Sequence, residues 1–162
     1  MDVLLFSFIN GVAHRSWIID AGIVFFATYA LPLLGIGIVI AGVQKKSLLK
    51  HAIFSSSLAF GINATIGSLL FRSRPFVDHS VIQLIEKSAT SKSFPSDHTA
   101  LSFALAASIG AAYPRMSGVA YTLACIIGVS RIAAGVHYPL DIITGAFVGL
   151  MSFAIVWRVV RL

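Results

Sequence analysis

Apolar positions run along this chain in long helical stretches, broken by only a few short polar segments. Residues 16–43 and 48–71 are each long enough, at about 1.5 Å per helical residue, to cross a hydrocarbon core of about 30 Å. Runs at 96–113, 119–134 and 138–160 predict three more helices. Residues 1–13 are apolar at 3, 4, 5, 6, 8, 9 and 12 but too short to span, and no lysine or arginine precedes them as a signal peptide requires. They predict an interfacial helix. Within 16–43, Trp17 predicts an interface anchor and Pro32 a kink. Residues 44–50, with Lys45, Lys46 and Lys50, read as a short basic loop, and 72–95 is the one sizeable polar segment. Its apolar piece at Val81, Ile82, Leu84 and Ile85 predicts an amphipathic turn or helix. Ala100, Ala104, Ser108 and Ala112 recur every four residues, and Gly145 and Gly149 form a second small-residue face; both predict close helix packing.

Composition settles what surrounds these helices. The 162 residues are 57% hydrophobic and only 11% charged, with mean hydropathy +0.91, whereas a soluble domain carries roughly 25% charged residues. So small a chain cannot hide that much apolar surface inside itself, so lipid must cover it. The expectation is a single all-α integral membrane domain over 1–162, with about five transmembrane helices plus the interfacial one. The net charge of +6 does not predict nucleic-acid binding, because the basic residues sit at segment ends rather than on one polar face. Cys125 is alone in an apolar run and predicts no disulfide.

Charge also predicts orientation. With Lys45, Lys46 and Lys50 on the cytoplasmic side, five alternating spans put Arg115, Arg158 and Arg161 there too. Every acidic residue (Asp2, Asp20, Asp78, Glu86, Asp97 and Asp141) then faces the opposite, extracytoplasmic side.

That side also receives three clusters of chemistry-bearing residues at the ends of apolar runs: Arg72-Ser-Arg-Pro75, Phe94-Pro-Ser-Asp-His-Thr99 and Ser130-Arg131 through His137 to Asp141. Ionisable groups at a membrane edge are costly and point to function. Arg74 and Arg131 present planar forks of donors suited to phosphate oxygens, and the amides following Pro95 open a helix whose positive end favours an anion. His137 and Asp141, four apart, suit a histidine nucleophile held in one tautomer by a carboxylate, and His98 suits a general acid for the departing oxygen. No metal or other cofactor is expected, because the carboxylates are not clustered and the histidines lack zinc-site spacing. Taken singly, the arginines read as headgroup anchors and the aspartates as helix N-terminal charges. Their coincidence on one face favours a site. Asn63 predicts an interhelical hydrogen bond, and His14, His51 and His79 read as interface or surface residues.

These residues carry a family resemblance. Ser130-Arg131, five residues, His137, three residues and Asp141 are similar at every fixed position to the third signature of the type 2 phosphatidic acid phosphatase family, which vanadium haloperoxidases share. Pro95-Ser96-Asp97-His98 resembles the second signature, with Asp97 in place of glycine. Arg74-Pro75 resembles the end of the first, but the lysine expected seven residues earlier is here Gly67. The run from Arg74 to Thr99 looks like the bacitracin-resistance branch, bacterial undecaprenyl-diphosphate phosphatases. The resemblance implies an acid-phosphatase/haloperoxidase-like helical bundle in a bacterial plasma membrane. It implies a phosphohistidine at His137 oriented by Asp141, with His98 as general acid. Arg74, Ser96 and Arg131 would bind phosphate, Asp97 would sit at the same phosphate, and Arg72 would substitute for the absent lysine. The expected substrate is a lipid phosphate or diphosphate. Two alternatives stay open: a phosphatidic acid or phosphatidylglycerophosphate phosphatase, and a silent membrane protein that only binds anionic lipid.

Overall fold

The computed structural model describes residues 1–160, and every described element is helical. In chain order these are α1 (Asp2–Asn10), α2 (Trp17–Thr28), α3 (Ala30–Gln44), α4 (Lys46–Leu69), a short α5 (Pro75–Asp78), α6 (Asp97–Ala112), a 3-10 turn (Pro114–Met116), α7 (Ser117–Ala133) and α8 (Pro139–Val159). Arg161 lies outside the described residues.

The bundle is built around α6. Its small side chains let neighbours approach from two sides, Ala100 and Ala104 packing with Ala59 and Val148 and Ala106 with Ala120 and Ala124, while the larger Leu105 fills a core with Ile38, Leu48 and Ala52. A Cβ on Gly149 would lie 2.2 Å from the Ala100 carbonyl oxygen, and one on Gly145 would lie 2.7 Å from that of Ser96. The α6/α8 contact is thus backbone against backbone, as the two small-residue faces predict. Large apolar side chains such as Ile40, Val43, Phe60, Ile143 and Phe147 are exposed on the outside, where lipid replaces water as the solvent. α4, α8 and the stretch Pro114–Ala133 are each long and apolar enough to cross a membrane, and the α2–α3 pair passes the same test as one bent unit. α6, with 16 residues, is about 24 Å long and is shielded by its neighbours. The protein is a multi-pass membrane protein.

Three expectations change in detail. Residues 16–43 form two helices bent by 50° at Tyr29 rather than one kinked at Pro32. A proline ring clashes with the carbonyl four residues earlier, here Thr28, so the break falls one turn before the proline. The basic loop at 44–50 shrinks to Lys45, because α4 begins at Lys46; the Lys45 ammonium donates to the Ala112 carbonyl and lies 4.6 Å from the centre of the Tyr113 ring. The apolar piece at 81–85 forms no helix. Its backbone is used in long-range bonds instead, Ile82 N–H to Asn10 Oδ1 at 3.1 Å and Leu84 N–H to the Ala134 carbonyl at 3.1 Å, while Ile82, Leu84 and Ile85 pack against Ala27, Ala134 and Val136. Among the three histidines set aside, His51 is buried, with its ring 4.9 Å from that of Trp157.

Candidate active site

The turn between α7 and α8 explains the spacing of the third cluster. α7 ends with Gly135 at φ +81°, with the Val136 N–H donating to the Arg131 carbonyl (3.2 Å) and the Gly135 N–H to that of Ile132 (2.9 Å). This is a Schellman ending, which requires a residue in the left-handed region. Glycine is required here twice over, since a Cβ would lie 2.3 Å from the Ile82 carbonyl oxygen. Arg131 is therefore held in the last turn of α7, and His137 follows the turn directly. α8 then starts with Pro139 in its first turn, and Asp141 turns back so that Oδ2 accepts the Tyr138 N–H at 2.8 Å. Five residues between arginine and histidine, and three between histidine and aspartate, are what this helix end and helix start occupy.

The three clusters converge. His137 is buried, with Nδ1 3.5 Å from Asp141 Oδ2 and Nε2 3.3 Å from Arg74 Nη1. The Nδ1 contact is longer than a formed hydrogen bond, so the carboxylate stands behind the ring without a bond to it. Asp141 is fully buried and held on other sides: Oδ2 accepts from Ser93 Oγ at 2.5 Å, and Oδ1 accepts from Arg72 Nη1 at 2.9 Å. Burial pushes the His137 imidazolium down to about 4; Asp141 opposes this, while Arg131 and Arg74 add to it. The ring is neutral at pH 7, with Nε2 turned toward Arg74.

Arg74 and Arg131 are both buried. Arg74 donates to Ser91 Oγ (2.8 Å) and the Val136 carbonyl (2.9 Å), and Arg131 to the Ala27 carbonyl (2.7 Å) at the end of α2. Among the described residues neither forms an ion pair, and Arg131 Nε has no partner. Two buried guanidiniums without a carboxylate are costly, on the order of several kcal/mol, unless an anion arrives between them. Desolvation pulls the Arg74 guanidinium below its usual range, with Asp141 and Asp97 resisting.

His98 stands in the first turn of α6, partly exposed, within electrostatic reach of Arg131, Lys87, His137 and Asp97. No side chain caps this helix, so its first amides stay available to an anion. Ser96 is placed differently from the expected phosphate contact. Its N–H donates to the Asp141 carbonyl at 3.0 Å and its buried hydroxyl accepts from Thr99 Oγ1 at 3.1 Å, which leaves only the hydroxyl proton to offer. Arg72 is not brought to the arginine pair either. Its guanidinium bridges Asp141 and Asp2 (2.7 Å to Oδ2) and lies 3.8 Å from the centre of the Tyr138 ring, because two carboxylates and a ring face draw it behind the site. Asp97 turns to Asn63 and Lys92, at 2.8 and 2.9 Å.

Four residues escaped the sequence reading. Ser93 and Ser91 lie in the polar run just before the second cluster, where a signal existed. Lys87 is exposed in the same loop yet within reach of Arg131 and Arg74, which add to desolvation in lowering its ammonium. Asp2 carried no signal, since its partners Arg72 and the Leu140 N–H lie at the other end of the sequence.

A membrane-embedded helical bundle with a neutral histidine, a carboxylate behind it and two unpaired arginines before it defines the class as membrane phosphatases. The chain matches the PAP2 superfamily over residues 48–162 and belongs to it. It is 30% identical over 156 residues to undecaprenyl-diphosphatase BcrC of Bacillus subtilis, covering 93% of this chain and 80% of that one. It is 28% identical to the bacitracin transport permease protein BcrC of Bacillus licheniformis, covering 94% and 77%. Among solved structures, Aquifex aeolicus LpxE superposes with TM-score 0.82 at 26% identity, covering 97% of this chain and 94% of that one. The protein is thus a hydrolase of the PAP2 type.

Proposed function

We propose that this chain, working as one domain, hydrolyses undecaprenyl diphosphate to undecaprenyl phosphate and inorganic phosphate. The reaction takes place at the extracytoplasmic face of a bacterial plasma membrane and recycles the cell-wall lipid carrier. The observation that carries the reading is a pair of buried guanidiniums without an ion-pair partner among the described residues, Arg74 lying 3.3 Å from His137 Nε2 and Arg131 within electrostatic reach of the ring. Similarity to proteins named for this diphosphatase and for bacitracin supports the choice of lipid.

In the first step His137 Nε2 attacks the terminal phosphorus, the anhydride P–O bond breaks, and undecaprenyl phosphate leaves with a proton from His98. Arg74, Arg131 and the first amides of α6 hold the oxygens as charge builds on them. The phosphorylated ring carries positive charge, and Asp141 then tightens on Nδ1–H. In the second step His98 takes a proton from water, the water oxygen attacks the phosphohistidine, and inorganic phosphate departs. No step calls on a metal.

The test is phosphate release from undecaprenyl diphosphate, phosphatidic acid and phosphatidylglycerophosphate, each with and without EDTA and orthovanadate. The expected outcome is the highest kcat/KM for the diphosphate, indifference to EDTA, and inhibition by orthovanadate, which imitates the five-coordinate transition state. A marked preference for a glycerolipid would reject the lipid assignment, and strict magnesium dependence would reject the cradle.

A further inference from the structure

Position 67, where the family resemblance leads one to expect a lysine, is glycine, and the space a side chain would take there is occupied. A Cβ on Gly67 would lie 2.1 Å from Lys92 Cδ and 2.7 Å from Lys92 Cε. The stem of Lys92 therefore crosses the α4 backbone at that position, entering from the loop instead of the helix. Its ammonium reaches the start of α6, where Nζ donates to Asp97 Oδ1 at 2.9 Å and to the Pro95 carbonyl at 3.3 Å. An ammonium has three donors, so one remains uncommitted. Asp97 is fixed in turn from α4: the fully buried Asn63 donates through Nδ2 to Asp97 Oδ1 at 2.8 Å and to the Pro95 carbonyl at 3.2 Å.

Charge gives this arrangement a reason. Asp97 stands within electrostatic reach of Arg74, Arg131 and His137, so a bare carboxylate there would oppose an incoming phosphate. We propose that Lys92 is a phosphate-binding residue that supplies, from the loop, the cation absent at Gly67, and that Asp97 is the positioning residue that holds its ammonium at the site. Gly67 belongs to the same unit, because any larger residue would block the path of the lysine stem. The proposal rests on the phosphoryl-transfer reading of the site and not on which lipid is preferred.

Orthovanadate binding to the detergent-solubilised full chain, measured by calorimetry, tests it without any lipid. Lys92→Met keeps the stem over Gly67 and removes the charge, and should weaken orthovanadate about 10- to 100-fold, the worth of a hydrogen bond to a charged group. Adding Asp97→Asn to Lys92→Met should recover part of the loss by removing the unneutralised carboxylate. Gly67→Lys with Lys92→Ala should also recover affinity, which a protein merely disordered at the loop would not do. Wild-type affinity in Lys92→Met would overturn the role of Lys92. A Lys92→Met/Asp97→Asn protein no tighter than Lys92→Met would overturn that of Asp97. A wild type that does not bind orthovanadate at all would instead overturn the proposed phosphate cradle beneath both.

Discussion

The tasks proposed for His137 and His98 differ, and each would leave its own kinetic signature. If His137 makes the covalent bond, His137→Gln should abolish turnover of every substrate together with an acid-labile, base-stable phosphoenzyme, detectable by trapping with labelled substrate. As the proposed general acid, His98 would matter only as far as the leaving group needs a proton. His98→Ala should lose about 100- to 10,000-fold on a lipid phosphate but far less on a nitrophenyl phosphate, whose leaving group departs as a stable anion. Equal losses would make His98 structural. The expected pH profile follows from burial of the proposed nucleophile. The His137 ring is lowered to about 4, so it is already neutral above that value and loses nucleophilicity only as pH falls through it. After correction for the substrate's own ionisation, the acid limb of kcat/KM should sit near pH 4, and a limb at the ordinary histidine value near 6.5 would contradict this environment.

Between elements, glycines decide how closely the site's two platforms meet. Gly149→Ala pushes a methyl to within 2.2 Å of the Ala100 backbone oxygen and should lower stability by about 1–3 kcal/mol, seen as a lower Tm in detergent. Gly61→Ala, at a position of α4 with open space around it, should not lower it. The anchor of α1 is softer. The Arg72–Asp2 pair is about a quarter exposed on each side, 29% and 26%, so Asp2→Asn should cost about 1 kcal/mol or less. Arg72→Ala should cost more activity than Asp2→Asn, because it also strips a donor from the fully buried Asp141 carboxylate.

Over the whole molecule the charges are polarised. Lys45 donates to the last turn of α6 and the Trp157 ring of α8 lies beside that of His51 of α4, so Lys45, Lys46, Lys50 and Arg158 gather at the end of the bundle opposite the site. In a Cys125→Ala background, a cysteine at Ser88 should react with an impermeant thiol reagent in intact cells, whereas one at Ser47 should not. The reverse pattern would put the site in the cytoplasm.

Lipid-facing helices, their approximate number and the convergence of Arg74, His98, Arg131, His137 and Asp141 were legible in the sequence, because hydropathy and helix-end spacing are local properties of the chain. Even the five- and three-residue spacings reduce to a Schellman ending and a proline-led helix start. Contacts between residues far apart along the chain were not legible. The ion pair that draws Arg72 behind Asp141, the Ser93 hydroxyl beneath it, and the Lys92 stem lying across Gly67 each depend on which loop crosses which helix. Sequence carries the type and spacing of charged groups; their partners are chosen only when the loop at 72–95 folds back over α4 and α8, since a charge pairs with what packing brings within about 4 Å, whatever its separation along the chain.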